Sequence, residues 1–240
     1  MERIDDVRRR LIWSAVTVAL GAGLGFVLAM NYDLLGVLID PVKPFLHGTK
    51  LKYLSPTEPF FITIKLGILV GIILALPVIM HHVWCIVRPL LGPREQRIVR
   101  PMLAMSMVLF LAGAVFCFVA VVPLMLRFTM GFQTESLEQN IVIGEYLSIV
   151  LRMVLAFGVV FEMPVVALVG TLLGIVDPEF LASKRRHAIL LSVVLGALLT
   201  PPDVASQVLM AVPMYALFEI SILVSRLAVR RTRATVPLEV

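Results

Sequence analysis

Charge is scarce in this chain, and the scarcity decides its class. Acidic and basic residues make up 15% of the 240 residues, against about 25% in an ordinary soluble domain. Apolar residues make up 60%, and mean hydropathy is +0.99. A soluble fold of this size has too little interior to hide that much apolar surface, so lipid must be the solvent for much of it. Cysteine is nearly absent. Cys85 and Cys117 lie near or within apolar runs, and their spacing makes neither a metal site nor a disulfide framework. Enzyme signatures are missing as well: there is no His-Glu-x-x-His, no Gly-x-Ser-x-Gly elbow and no nucleotide loop. The adjacent His81 and His82 cannot share a helix face as metal ligands, which need a spacing of about four. The formal charge of +5 comes with no basic stripe interleaved with aromatics, so nucleic acid is not the expected partner. No enzyme, resident metal or cofactor is expected.

What is present is a series of long apolar runs with charge gathered between them. The pattern predicts an all-α, polytopic integral membrane protein. Residues 1–240 read as a single transmembrane domain of six spans, roughly 11–30, 59–83, 98–126, 146–176, 188–199 and 204–223. Arg8, Arg9 and Arg10 precede the first run as in a signal peptide. That run continues from Leu11 to Met30, beyond the roughly 7–15 residues of a signal core, and reads as a retained span. A polar loop is expected from Asn31 to about Thr57, and a kink in span four at Pro164.

Basic residues set the orientation. Arg3, Arg8, Arg9 and Arg10 lie before span one, and Arg88, Arg94, Arg97 and Arg100 between spans two and three. Lys184, Arg185 and Arg186 lie between spans four and five, and Arg226, Arg230, Arg231 and Arg233 in the tail. The opposite side has Lys43, Lys50, Lys52 and Arg127. The positive-inside rule then puts both termini in the cytoplasm. Span five is short: residues 188–199 cover about 18 Å as helix, against a hydrocarbon core of about 30 Å. Thr200-Pro201-Pro202-Asp203 turns the chain straight back.

Five segments, in this order along nearly the whole chain, carry a family resemblance. They are Ser55-Pro56-Thr57-Glu58-Pro59-Phe60-Phe61 leading into Ile64-Lys65-Leu66; Pro89 and Leu91 followed by Glu95; Phe157-Gly158 with Phe161-Glu162-Met163-Pro164; Leu199-Thr200-Pro201-Pro202-Asp203 with Ser206-Gln207; and Pro213-Met214-Tyr215 with Leu217-Phe218-Glu219-Ile220. Together they resemble the TatC family of twin-arginine protein translocases. The resemblance implies a glove-like six-helix fold in a bacterial cytoplasmic membrane. It implies binding of twin-arginine signal peptides at the cytoplasmic face, single-span partners of the TatA and TatB type, self-association, and export of folded proteins driven by the proton-motive force. Three positions depart from the family pattern: Asp6 stands where a glutamate is usual, Ile86 where an aromatic is usual, and Gln96 where a basic residue is common.

Several polar residues are candidates for function. Glu95 sits on the basic second-to-third loop, and a carboxylate suits the guanidinium fork of an arginine ligand. Its competing role is an ion pair with a neighbouring arginine. Asp6 is a second acidic candidate, or simply a helix-start carboxylate favoured by the macrodipole. The resemblance adds Arg8 and Arg97 to the peptide-binding set. Glu162 lies deep in span four, where an ionisable group is costly and tends to face a cavity or partner; Gln207 or another subunit is its expected partner. Thr200, Asp203 and Gln207 flank the short outer turn and offer hydrogen bonds to a partner helix, or satisfy the turn itself. Lys65 snorkels outward, Arg152 has Glu145 seven residues away, and Glu219 is placed to pair with a loop arginine. The main alternative function is secondary transport of a small solute. Its usual sign, a repeat between residues 1–120 and 121–240, is not evident.

Overall fold

A computed structural model describes residues 2–46, 51–131, 141–200 and 203–234. Its ten α-helices among these are α1 (Glu2–Asn31), α2 (Leu34–Ile39), α3 (Glu58–Val87), α4 (Pro93–Phe116), α5 (Val122–Met130), α6 (Ile143–Val160), α7 (Met163–Leu172), α8 (Pro178–Ser183), α9 (Arg185–Leu199) and α10 (Val204–Ala234). The described residues contain no strand beyond one isolated bridge between Lys52 and Val142. Five helical stretches are long and apolar enough to cross a membrane: Asp5–Asn31, Glu58–Leu90, Glu95–Met130, Ile143–Leu172 and Val204–Val229. The expected fifth span corresponds to α9. Its 15 residues cover about 22 Å at 1.5 Å per residue. The double proline that follows, Pro201-Pro202, lies outside the described residues.

Burial on α10 shows which solvent the helices expect. Val204, Val208, Val212, Ile220 and Leu223 are exposed, while Ser206, Ser221 and Ser225 are buried. A water-soluble helix shows the reverse pattern. Ser221 donates to the carbonyl of Leu217 one turn back, so that hydroxyl is satisfied within its own helix.

Two of the expected spans and one loop differ in detail. The third span carries a π turn over Cys117–Val121, in which the Val122 N–H reaches the Cys117 carbonyl. Pro123 follows directly; in a regular α-helix its ring would strike the carbonyl four residues back, and the wider turn accommodates it. The fourth span breaks at Phe161-Glu162, just before Pro164, as the proline predicts. It ends at Leu172 and not at Val176, because Gly174 adopts a left-handed φ of 70° and the following N–H groups of Ile175 and Val176 turn back to Gly170. The expected polar loop after span one contains α2, and Leu38, Val42 and Leu46 within it are buried. Asp33 caps α2 through the Gly36 N–H, and Tyr146 donates to the Leu38 carbonyl at 3.0 Å. The apolar residues of this segment were legible; their burial was not.

The chain divides into two compact units, residues 1–83 with 114–156, and residues 84–113 with 157–240. In the first, α1 meets α3 through glycines at matched spacing, Gly21 and Gly25 against Gly67 and Gly71. A Cβ on Gly21 would stand 2.8 Å from the Gly71 carbonyl oxygen, and one on Gly25 would stand 2.5 Å from that of Gly67. Only hydrogen fits there, which is the small-residue crossing that membrane helices use when water cannot drive them together. The N-terminal ends of α3 and α6 are clasped in the same unit. One Glu58 carboxylate oxygen accepts from the Leu54 N–H at 2.8 Å and the other from the Gly144 N–H at 2.7 Å. The Lys52–Val142 bridge lies beside this clasp in sequence. In the second unit, α10 packs along α7, α8 and α9. There the Arg185 guanidinium grips Glu219 with two bonds of 2.7 and 3.0 Å, and Tyr215 donates to the same carboxylate at 2.7 Å.

Candidate functional site

Glu95 lies in the first turn of α4, three residues after Gly92. Its Oε2 accepts from the Gly92 N–H at 2.8 Å. That is the return half of a capping box, which satisfies a backbone donor the helix start would otherwise leave open. The other oxygen makes no hydrogen bond among the described residues, and Glu95 forms no ion pair among them. The arginine pairing weighed from sequence is therefore replaced by a backbone cap. Gln96 fixes the same turn, its amide donating to the carbonyls of Arg88 and Leu91 at 3.1 and 3.0 Å. Arg97 is exposed and lines a cavity of about 410 Å³ with Trp84, Arg88, Pro93, Gln96 and Arg100.

Asp6 and Arg8 are exposed on the first turns of α1. Asp6 is held by Arg10 at 2.9 Å, one helical turn on.

Glu162 stands at the break between α6 and α7 and accepts a hydrogen bond from the Ser106 hydroxyl on α4. Two close helix contacts bring them together. A Cβ on Gly158 would meet the Phe110 ring at 2.6 Å, and one on Gly113 would meet the Phe157 carbonyl oxygen at 2.7 Å. The antiparallel order 106, 110, 113 against 162, 158, 157 therefore runs side by side. Gln207 is not the partner: its amide donates to the Val193 carbonyl at 3.0 Å. Sequence reasoning missed Ser106. The available signal was that it is the one hydroxyl side chain between Ile98 and Leu126. Glu162 Oε1 is buried and makes no hydrogen bond among the described residues.

At the other end of α9, Thr200 bonds back to the Gly196 carbonyl at 2.9 Å. Asp203 caps α10 through the Ser206 N–H at 2.7 Å, while its Oδ2 is buried without a bond among the described residues. Thr200 thus satisfies the backbone of its own turn, whereas Gln207 ties α10 to α9. Lys65 donates to Ser148 at 2.8 Å, and Arg152 bonds the Ser148 carbonyl at 2.9 Å. Both line a cavity of about 700 Å³ in the first unit, together with Glu58 and Glu145.

Long apolar helices, with their polar groups tied by helix caps and buried hydrogen bonds, define an integral membrane protein of the helical class. The comparisons with known proteins make it a protein-transport component. The family model described as Sec-independent protein translocase protein (TatC) matches residues 2–213. A Sec-independent protein translocase protein TatC of Aquifex aeolicus is 39% identical over 234 residues, covering 97% of this chain and 96% of that one. The TatC of Escherichia coli K12 is 40% identical over 229 residues, covering 95% and 88%. A crystal structure of the twin arginine translocase receptor TatC superposes with a TM-score of 0.86 at 40% identity, covering 95% of this chain and all of that one. The chain belongs to the TatC family. The match along its length to protein translocases leaves the small-solute transporter reading without support.

Proposed function

We propose that this chain is the receptor subunit that binds twin-arginine signal peptides at the cytoplasmic face and supports export of folded proteins with TatA- and TatB-type partners. Proton-motive force drives the transport, and the subunit self-associates in the receptor complex. It works as one transmembrane domain of six spans in a glove-like fold, with both termini in the cytoplasm of a bacterium. Arginine and lysine placement supports the orientation. The chain also passes between its two compact units inside the unbroken helices α3, α4 and α6. The sixth crossing is α9, short enough that the bilayer beside it must thin or its flanking residues must snorkel.

The observation that carries the reading is the state of Glu95. One carboxylate oxygen is anchored to Gly92, and the helix start fixes the group, so the other oxygen is presented in a set direction. A guanidinium gains most from such a preorganised acceptor. Asp6, already half-committed to Arg10, Arg8 and Arg97 are the further residues proposed to bind the peptide. Glu162, Thr200, Asp203 and Gln207 form the intramembrane set that meets partner helices. The unpaired oxygens of Glu162 and Asp203 support that role.

The test is binding of a twin-arginine peptide and its twin-lysine variant to the purified protein. Glu95→Gln should weaken twin-arginine binding by about 1.5–3 kcal/mol, the worth of a bond to a charged group. Asp6→Asn should cost less. Wild-type binding by a folded Glu95→Gln protein would refute the site.

A further inference from the structure

The cavity of about 410 Å³ beside the second-to-third loop is lined by Trp84, Arg88, Pro93, Gln96, Arg97 and Arg100. No acidic side chain is among them. Arg88, Arg97 and Arg100 are in none of the ion pairs seen among the described residues, which include Asp6–Arg10, Asp40–Lys43 and Glu219–Arg185. Glu95, the nearest carboxylate in sequence, is turned to the Gly92 N–H. Three guanidinium groups around one cavity repel each other until an anion enters.

The cavity is also held in shape. Trp84 lies in the last turn of α3 and Arg88 in the 3-10 turn that follows it, and Arg97 and Arg100 share one face of α4. The two Gln96 bonds to Arg88 and Leu91 lock the turn that brings these faces together, and Leu91 is buried beneath it. Pro93 opens α4, so the positive end of a 24-residue helix adds to the field.

Position selects the anion. The cavity lies where the membrane-competent stretches Glu58–Leu90 and Glu95–Met130 meet, at the end of both, and Trp84 is the residue type that favours headgroup depth. Beyond Arg97 and Arg100, the exposed face of α4 continues as Pro101, Ala104, Met105 and Val108. A charged pocket followed by an apolar strip matches an amphiphile and not a free ion. We propose that this cavity binds a phosphate ester anion, supplied in the membrane by the headgroup of an anionic phospholipid whose acyl chain lies along that strip. Arginine is the side chain suited to it, since its fork takes two phosphate oxygens at once.

The experiment is native mass spectrometry of the full chain, purified in detergent and titrated with phosphatidylglycerol, with phosphatidylcholine of the same acyl length, or with inorganic phosphate. Wild type should retain phosphatidylglycerol in preference to phosphatidylcholine. R88Q/R100Q, which leaves Arg97 in place, should bind it about thirty-fold more weakly, given about 1 kcal/mol for each of the two basic residues removed at an anionic surface. R226Q removes an exposed arginine elsewhere and should bind as wild type. R88K/R100K keeps charge but loses the fork, and should fall between wild type and R88Q/R100Q; it carries the comparison if the glutamine variant unfolds. Equal retention of phosphatidylglycerol by wild type and the folded variants, or equal retention of the two lipids by wild type, would overturn the proposal. Full displacement of phosphatidylglycerol by millimolar phosphate would overturn the lipid assignment.

Discussion

Glu162 illustrates what one residue costs and what steadies it. A partly buried carboxyl among Phe161, Met163 and Pro164 is costly in an apolar run, so its hydrogen bonds help decide whether the break in span four is tolerable. Ser106 supplies one of them. Ser106→Ala should therefore lower stability by about 1 kcal/mol, the scale of hydrogen bonds between membrane helices, read as a shift in thermal unfolding in detergent. Glu162→Gln keeps an acceptor and should preserve export of a folded reporter carrying a twin-arginine signal, whereas Glu162→Ala should impair export while the protein still inserts. Full activity in Glu162→Ala would remove the residue from the mechanism, and inactivity in Glu162→Gln would show that hydrogen bonding is not enough. The cost of Glu162 was legible in the sequence because charge inside an apolar run is rare. Its partner was not: 56 residues separate the two, and nothing local says which helix faces meet. Glu95 was legible for the same reason in reverse, as an acid among bases, but its bond to Gly92 depends on a backbone turn that composition does not reveal.

At the scale of the element, length and hydropathy sufficed to locate the long helices, since backbone groups in lipid leave the chain few options. The exceptions are places where a short feature overrides the average: α2 with its buried Leu38 inside a stretch read as polar, the π turn before Pro123, and the left-handed Gly174. The contact of α1 with α3 belongs here too. Most of α1 presents large apolar side chains outward, Leu11, Trp13, Val16, Leu20 and Leu24 among them, so the glycine crossing carries much of its attachment. A Cβ on Gly71 would run into the backbone nitrogen and Cα of Ala22, which cannot swing aside as a side chain can. Gly71→Val should destabilise the protein by about 1–3 kcal/mol, as overpacking does. Gly23→Val is the internal control, because a Cβ there has nothing within 4 Å. Equal unfolding temperatures for the two variants would show that the glycine spacing is incidental.

For the whole molecule, the open quantity is how many times the chain crosses. Five stretches qualify by length and composition, and α9 makes the sixth only if a bilayer accepts a helix of about 22 Å. With the N-terminus inside, both counts leave residue 183 in the cytoplasm after four crossings, and they differ at the C-terminal end of α10. With Cys85 and Cys117 replaced by serine, single cysteines at Tyr53 and Ser183, both exposed, should separate under an impermeant thiol reagent. Tyr53→Cys should label from outside, and Ser183→Cys only after the membrane is opened. Labelling of residue 183 in intact cells would reject the cytoplasmic placement of that loop. Charge placement is the part of the sequence from which this topology is proposed. The division into two compact units was not readable, because the boundaries fall inside helices with no change in composition.

The Glu58 clasp sets an order of events in time. A chain is made from its N-terminus at roughly 5–20 residues per second. The Leu54 N–H is available to Glu58 at once, four residues away, but the Gly144 N–H arrives 86 residues later, a delay on the order of ten seconds. The Lys52–Val142 bridge waits equally long. The glycine crossing between α1 and α3 needs nothing beyond Gly71 and can close while the ribosome is still working. The newborn first unit therefore holds its first two long helices together early and leaves the N-terminal end of α3 open until α6 emerges, so a chain arrested before residue 144 would leave a carboxylate half-engaged.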